Sequence, residues 1–437
     1  MTTQHRPRVP VVGSAAAAEP VQAYVWMWRP GAAEPVVVGR LHRASELISF
    51  SYGQSYLSRP DATPIFTPEL PLMRGPIRPG AGLAVASCIR DAGPDAWGQR
   101  VILARHVGRR TAAADTGSLE LLTYLLESGS DRIGALDFQT SPTTYVPRAV
   151  GHATLEDLQS AAARLEAGQD LSPALAEALL HGTSIGGARP KALLHDTTCD
   201  RFLIAKFAVA SDPYPVVKAE AVAMELARRV GLNVAATELA HCAGKSVLLV
   251  DRFDRVTTEA GVERAMLVSA LTLFGLDAMA GRYATYHGLA DMIRARFTDP
   301  EQTLHELFGR IVFNICVSNT DDHARNHAAF YRYDAAGVDL TLTPGYDICP
   351  QLRSGDSAEQ ALAIDRDGRR TSNLGLCVAA AHLYQLTPAQ AREIIDHQVG
   401  TIEEQWTEAA DAATLTAVER GLLWRRQILN PAIHYDL

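Results

Sequence analysis

The chain has 437 residues, of which 47% are hydrophobic and 21% charged, so an ordinary globular protein of two or three domains is expected. Because its formal net charge is −8, we do not expect it to bind nucleic acid unaided, although a basic patch or partner could bring it to DNA. No run of about eighteen apolar residues occurs, and we predict no membrane span. The six cysteines form no C-x-x-C pair, which favours free thiols and a cytoplasmic protein.

We predict that residues 1–20 are a disordered lead-in. They include small apolar residues but lack the sustained hydrophobic core of a signal peptide. Residues 21–115 predict a small α+β domain. The runs "AYVWMW", "EPVVVGRL" and "ELISFSY" are typical of strands. A proline-rich stretch follows over residues 60–79, and "PDAWGQRVILARHV" then predicts a helix.

Residues 116–255 predict an amino-terminal kinase-like lobe, and they begin with two helices. The second, "TLEDLQSAAARLEAG", starts with a capping box of Thr154 and Asp157 and ends at Gly168. Strands "KALLHD" and "RFLIAKFAV", the helix "YPVVKAEAVAMELARRVG" and two strands in "NVAATELAHCAGKSVLLVDRFDR" follow. Residues 256–437 predict a large, mostly helical lobe.

The first chemical signal is a glycine-rich stretch before a strand, "GTSIGGARPKALL". Glycines let backbone N–H groups approach phosphate, but the stretch has neither the G-x-x-x-x-G-K-[ST] nor the G-x-G-x-x-G spacing and is also compatible with a plain turn. Lys206, inside the apolar run "FLIAKFAV", needs an anionic partner if buried and otherwise lies at a sheet edge. The following helix offers Glu220 or Glu225, and a strand lysine paired with a helix glutamate holds phosphates in protein kinases.

The second signal is the polar stretch "VSNTDDHARNHAAFY" between two apolar runs. Asp321 and Asn326 have the D-x-x-x-x-N interval of kinase catalytic loops, where the aspartate accepts the substrate proton and the asparagine binds Mg²⁺. Asp347 in "PGYDICP" follows where a kinase has its second metal-binding aspartate. These three side chains supply oxygen ligands of the kind that Mg²⁺ prefers. Asp322 remains an alternative base, although the interval favours Asp321.

The sequence contains partial patterns of two other kinds of metal site, and it favours neither. His323 and His327 are four residues apart, as in a zinc helix, but no glutamate of the zinc-protease pattern and no third ligand is apparent. The run "DRDG", from Asp365 to Gly368, resembles half of a calcium-binding loop but lacks the glutamate at the twelfth position. A surface turn is the favoured interpretation of that run.

Taken together, "TSIGGARPKALL", "FLIAKF", "LLVDRFDR", "NTDDHARNHAAFY" and "YDICP" resemble the HipA-type serine/threonine kinases, the toxins of bacterial toxin–antitoxin pairs. The runs "TPELPL" and "PDAWGQR" resemble the small N-terminal domain of that family, so the resemblance extends over about residues 22–430. It implies an α+β, bilobal, protein-kinase-like fold with a small N-terminal α/β domain and a large helical C-terminal lobe.

The resemblance also implies ATP and Mg²⁺ as cofactors and a set of site residues, carried over position by position. The loop over the phosphates is implied to consist of Gly186, Gly187, Ala188, Arg189, Pro190 and Lys191, and Lys206 is implied to contact phosphate. The implied hinge beside adenine consists of Asp251, Arg252 and Phe253. Asp321 is the implied base, His323 and Asn326 are implied to lie beside the phosphates and the metal, and Tyr346 and Asp347 are implied to close the site. The resemblance implies that Asn326 takes part in catalysis beside Asp321, and that Asn326 and Asp347 are metal ligands. Ser184 has the position of a self-phosphorylated serine.

Two positions depart from the family pattern. Asp322 follows the implied base where glycine is common, and its charge should raise the pKa of the base or recruit metal. Pro190 has no N–H, which removes one donor that could bind phosphate. Neither change removes a group that the reaction requires.

The resemblance implies an ATP-dependent protein kinase with a protein substrate, such as a translation factor or an aminoacyl-tRNA synthetase. It also implies a helix-turn-helix antitoxin as partner and, through it, operator DNA. Two other functions stay open. A small-molecule kinase is disfavoured because a small substrate needs no N-terminal module, and a pseudokinase-like binding module is disfavoured because the expected catalytic groups are all present.

Overall fold

The structure is a computed structural model, and it describes residues 19–107, 117, 119–148, 154–167, 169, 179, 183, 184, 187, 189–353, 355–435 and 437. All but the last two residues of the predicted lead-in lie outside the described residues. So do Gly186 and Ala188 of the implied phosphate loop, and the predicted helix end at Gly168.

The chain begins with a four-stranded antiparallel sheet of order β3-β2-β1-β4. Its strands are β1 (Gln22–Met27), β2 (Val36–Ala44), β3 (Leu47–Tyr52) and β4 (Leu136–Gln139). The three strands predicted from alternating apolar residues are confirmed. The fourth strand comes from beyond residue 115, where the first domain is predicted to end, and that boundary stays a prediction.

Five helices of the described residues accompany this sheet and the next. They are α1 (Gln54–Leu57), α2 (Ser87–Asp91), α3 (Ala96–Val107), α4 (Leu121–Glu127) and α5 (Leu155–Glu166). The predicted capping box at the start of α5 is confirmed, because the Asp157 N–H donates to Thr154 Oγ1 and the Thr154 N–H donates to the Asp157 carboxylate, both over 3.1 Å.

A second four-stranded antiparallel sheet of order β5-β6-β8-β7 carries the predicted strand lysine. Its elements are β5 (Lys191–Asp196), β6 (Arg201–Phe207), β7 (Thr237–Cys242), β8 (Lys245–Asp251) and the helix α6 (Val216–Arg229). Since side chains alternate along a strand, Ala205 and Phe207 pack towards α3 and α5, while Lys206 lies on the opposite face, beside α6.

The remaining described chain is mostly helical, as predicted, with a β-hairpin and a three-stranded sheet of order β11-β12-β13. The strands are β9 (Arg255–Thr258), β10 (Gly261–Arg264), β11 (Leu267–Ser269), β12 (Ala328–Asp334) and β13 (Gly337–Leu342). The helices are α7 (Ala270–Leu273), α8 (Tyr286–Arg296), α9 (Pro300–Cys316), α10 (Leu374–Ala380), α11 (Pro388–Ala412) and α12 (Ala417–Leu423). Within the described chain, every helix is too short or too polar to cross a bilayer.

Candidate active site

Lys206 lies at the centre of a buried ionic cluster. Its Nζ is 2.5 Å from Glu220 Oε1 and 2.6 Å from Asp347 Oδ1. Burial alone would lower the pKa of Lys206, but the charges of Asp347 and Glu220 outweigh it and the pKa is raised. Glu225 pairs instead with Arg228 on its own helix, so Glu220 is the partner that the sequence left undecided.

Lys191 lies directly opposite Lys206 in the sheet register. Burial and the neighbouring Lys206 charge together lower the pKa of Lys191 to about 8. Gly187 has φ of +103°, which strains any residue with a side chain, and a Cβ on it would lie 2.2 Å from Lys191 Nζ and displace that amino group. We call Lys191, Lys206, Glu220 and Asp347 the cleft cluster.

Asp347 combines an ion pair with access to solvent. Its side chain is 46% exposed although one oxygen holds Lys206, and the Lys206 charge lowers the pKa of Asp347. Its φ is +60°, a left-handed conformation that aspartate tolerates better than most residues and that is frequent at functional sites. The preceding Tyr346 donates its hydroxyl to the carbonyl oxygen of Arg325 over 2.7 Å, which ties this segment to the polar stretch.

Asp321 and Asn326 lie in the polar stretch between α9 and β12. Asp321 is exposed, whereas Asn326 is buried and its amide nitrogen lies 3.4 Å from the carbonyl oxygen of Asp321. Partial burial raises the pKa of Asp321; the nearby His323 opposes this shift, and the Asp347 and Asp322 charges reinforce it. Since the Asp347 charge acts on Asp321, the base candidate lies within electrostatic range of the cleft cluster.

Asp322 has a different environment from its neighbour, because it is buried. Tyr286 Oη, Asn314 Nδ2 and His327 Nε2 all bond to its Oδ2, at 2.6, 2.8 and 2.8 Å. Asp322 therefore anchors the stretch, and Asp321 is the aspartate open to solvent. His327 is committed to this anchor, and the described residues contain no group of three His, Cys, Asp or Glu side chains suited to a metal ion.

The described part of the implied phosphate loop is held by side chains that the sequence patterns did not identify. Gly187 donates its N–H to Asp95, and Arg189 pairs with Asp212 at 2.7 Å, which occupies its guanidinium. Ser184 is buried, and its Oγ donates to the carbonyl oxygen of Asp131 over 2.8 Å. No local pattern in the sequence pointed to these distant carboxylates.

The implied hinge is only partly available for adenine. The backbone N–H groups of Asp251 and Arg252 both donate to neighbouring backbone carbonyls, over 2.9 and 2.8 Å. The Phe253 ring is half-buried, and its centroid lies 5.8 Å from that of Tyr346. Neither N–H is therefore available as a donor to adenine. The adenine role of the three hinge residues stays a prediction, and Phe253 is the residue whose position favours that role most.

A second buried ionic cluster lies behind the hinge, and the sequence gave no sign of it. Arg252 Nη1 and Arg255 Nη2 each lie 2.8 Å from Asp131 Oδ1. Asp254 Oδ2 accepts from Arg252 at 2.8 Å, from Arg255 at 3.0 Å and from the Gly134 N–H at 2.8 Å. We call Asp131, Arg252, Asp254 and Arg255 the junction cluster, because it joins the β4 region to the chain after β8.

The oxygen donors beside the cleft cluster fit a hard divalent cation. Asp347 has one carboxylate oxygen engaged by Lys206, and the amide nitrogen of Asn326 is directed to a carbonyl, which turns its oxygen the other way. Carboxylate and amide oxygens together with substrate phosphates form the environment that Mg²⁺ prefers. Asn326 and Asp347 stay the predicted Mg²⁺ ligands, and a bound Mg²⁺ would neutralise phosphate charge there.

Comparisons with known proteins agree with this architecture. Residues 183–406 match the family model of the HipA-like C-terminal domain, and residues 25–139 match that of the HipA N-terminal domain. A chain of the solved Shewanella oneidensis complex of HipA, HipB and operator DNA superposes with a TM-score of 0.65 at 17% identity, over 93% of this chain and 99% of that one. That similarity confirms the predicted α+β, bilobal, kinase-like fold.

Two curated relatives are more similar in sequence but over shorter stretches. The putative kinase Y4mE of Sinorhizobium fredii is 26% identical over 191 residues, which are 40% of this chain and 45% of the relative. The serine/threonine-protein kinase toxin HipA of Shewanella oneidensis is 26% identical over 164 residues, 33% of this chain and 37% of the relative. The matched stretch thus spans less than half of either relative. With its two family-model matches, the chain belongs to the HipA family.

Proposed function

We propose that this protein is an ATP-dependent serine/threonine protein kinase of the HipA type. The observation that supports this most is the contact of Lys206 Nζ with both Glu220 and Asp347, which lie in different parts of the chain. In the proposed site Lys206 and Lys191 bind the phosphates of ATP. Kinases position nucleotide phosphates with such a lysine–glutamate pair and a metal-binding aspartate.

Asp321 is the proposed general base. Its carboxylate is exposed beside the cleft cluster, and its raised pKa makes it a better proton acceptor than an ordinary aspartate. It would accept the proton of the substrate hydroxyl as that oxygen attacks the γ-phosphorus. The bonds from Tyr286, Asn314 and His327 to Asp322 fix the backbone next to the base, so the base keeps its orientation.

Phosphoryl transfer from γ-labelled ATP tests this function. Asp321→Asn should lower the transfer rate by about 10²–10⁴-fold, the usual contribution of a general base. Asp411→Asn, which changes an exposed carboxylate paired with Arg420, should transfer label like the wild type. Label should appear on a protein in a bacterial lysate, and translation components are the proposed substrate class.

Other distributions of label would contradict the proposal. Label found only on a small molecule would favour the small-molecule kinase. Absence of any transfer by the wild type, or equal transfer by Asp321→Asn, would favour the pseudokinase-like binding module.

Autophosphorylation of Ser184 is proposed as the regulation of this site. In the structure Ser184 is buried, and its Oγ donates to the carbonyl oxygen of Asp131. A phosphate of about two negative charges would break that bond and repel the nucleotide, so phospho-Ser184 should stop transfer. Intact mass after incubation with ATP should show one added phosphate that Ser184→Ala lacks; a phosphate retained by Ser184→Ala would contradict the assignment.

A helix-turn-helix antitoxin and, through it, operator DNA are the proposed partners. The proposal is supported by the solved relative, which is named as a complex of HipA, HipB and operator DNA. The net charge of −8 is consistent with DNA contact made by a basic partner rather than by this chain. A mobility shift with the neighbouring operator should need both proteins, and a shift by this protein alone would contradict it.

A further inference from the structure

The start of helix α3 and the turn before it, which belong to the N-terminal domain, make three contacts with the glycine-rich loop and the first residue of β5. The Gly187 N–H donates to Asp95 Oδ2 over 2.9 Å, and the Trp97 N–H donates to the Gly187 carbonyl oxygen over 3.2 Å. The buried Trp97 also donates its indole N–H to the carbonyl oxygen of Lys191 over 3.1 Å. Both backbone groups of Gly187 are therefore held by a segment more than eighty positions earlier in the chain.

Asp95 also reaches the other side of the candidate active site. Its Oδ1 accepts from Arg325 Nη1 over 3.1 Å, and Arg325 is the residue before Asn326. The Arg325 carbonyl oxygen in turn accepts the hydroxyl of Tyr346, the neighbour of Asp347. One carboxylate thus connects the glycine-rich loop with the polar stretch that carries the proposed base and metal ligands.

The backbone position of Gly187 determines the surroundings of Lys191, which is proposed to bind nucleotide phosphates. Gly187 has a left-handed φ of +103° and lies against Lys191 Nζ, so a small shift of its backbone would change the surroundings of a proposed phosphate ligand. Its N–H is directed by a carboxylate whose own charge is paired with Arg325. Asp95 therefore orients the loop and carries no unpaired negative charge toward the site.

We infer that Asp95 is a positioning residue for the phosphate loop, so that the N-terminal domain contributes to nucleotide binding. This inference rests on the proposed function, because it takes the loop to be the phosphate site. It assigns to the N-terminal domain a role inside the kinase site in addition to any contact with a partner. Asp95 acts through Gly187 and Arg325, and it does not touch the reacting atoms.

The direct test compares Asp95→Ala, Asp95→Asn and Asp61→Ala. Asp95→Ala should raise the KM for ATP about tenfold with little change in kcat, because it removes the bond that orients Gly187. Asp95→Asn should stay within about threefold of the wild type, because its amide oxygen still accepts the Gly187 N–H. Asp61 pairs with Arg59 elsewhere in the N-terminal domain, and Asp61→Ala should leave KM unchanged.

Amide hydrogen exchange without nucleotide separates this inference from the kinase proposal. The Gly187 amide should exchange at least tenfold faster in Asp95→Ala than in the wild type, with equal thermal unfolding midpoints. Unchanged exchange, or faster exchange with an unaltered KM, would overturn the positioning role. Tighter ATP binding by Asp95→Ala would overturn it too, since the carboxylate would then compete with phosphate. If the wild type binds no nucleotide, the proposed function fails, while the exchange result still tests whether Asp95 holds Gly187.

Discussion

The cleft cluster and the junction cluster each contain two cations and two carboxylates, yet their electrostatics differ. In the junction cluster the charges of Arg252 and Arg255 overcome burial and lower the pKa of both carboxylates. In the cleft cluster burial raises the pKa of Glu220 despite its lysine partner, and burial with a like charge lowers the pKa of Lys191 to about 8. Other features are shared: burial and a like charge also lower the pKa of Arg255, and the side chains of Asp131 and Asp347 are 41% and 46% exposed.

We take the raised pKa of Glu220 as the mark that distinguishes the proposed nucleotide site from a structural ionic network. Charges that satisfy one another stabilise the folded arrangement and have little attraction left for a ligand. Groups held away from their ordinary ionisation gain from the arrival of a new charge, and such groups concentrate at binding and catalytic sites. The cleft cluster should therefore respond to nucleotide, and the junction cluster should respond only to unfolding.

The largest effect is expected from breaking the junction cluster. Asp254→Ala leaves Arg252 and Arg255 buried without this counter-charge, which should lower the free energy of unfolding by about 3–5 kcal/mol. Denaturant unfolding measures the change. Asp61→Ala, at an exposed ion pair of the same protein, should leave the unfolding midpoint where it is. Equal midpoints for the two variants would show that the junction cluster is not structural.

A smaller and opposite pattern is expected in the cleft cluster. Glu220→Gln keeps the shape but frees Lys206 from one of its two carboxylates, so kcat/KM for phosphoryl transfer should fall about tenfold. Stability should change little, because burial already disfavours the charge of Glu220. Glu225 on the same helix pairs with Arg228 and Arg229 and not with Lys206, so Glu225→Gln should leave the transfer rate unchanged.

The prediction for Glu220 can fail in two ways. Transfer equal to the wild type would show that Lys206 needs no glutamate to hold its position. Unfolding comparable to that of Asp254→Ala would show that the two clusters have the same structural role.

The smallest effect concerns pH. A bound triphosphate favours the protonated form of Lys191, whose pKa in the free protein is about 8, so ATP affinity should fall as pH rises through 8. The slope should reach at most tenfold per pH unit. Calorimetric titration between about pH 7 and 9.5 would show it, and Lys191→Met should flatten the profile. An affinity that rises with pH, or an identical slope in Lys191→Met, would contradict this role.

The sequence predicted those parts of the fold and site that depend on local patterns. Alternating apolar residues located the strands, and the capping box at Thr154 located the start of α5. Helix geometry also shows that Glu220 and Glu225 cannot both be partners of Lys206. Five residues along a helix turn the side chain by about 140°, so only one of the two can face a given strand.

The rest depends on contacts between distant parts of the chain. Arg252 and Asp131 are 121 positions apart, and Asp95 and Arg325 are 230 apart, so no local pattern could pair them. The different environments of Asp321 and Asp322 follow from which side of a loop faces Tyr286, and that is a property of the packed helices. The hinge N–H groups, implied by resemblance, turned out to be used within the sheet.

The central claim is that the cleft cluster is a nucleotide site, and calorimetric titration with Mg²⁺ and a non-hydrolysable ATP analogue tests it most directly. The wild type should bind, and Lys206→Met should bind at least tenfold more weakly. Lys218→Met, which removes a lysine of α6 that pairs with Glu419 at 3.0 Å, should bind like the wild type. No binding by the wild type, or equal binding by Lys206→Met, would contradict the account.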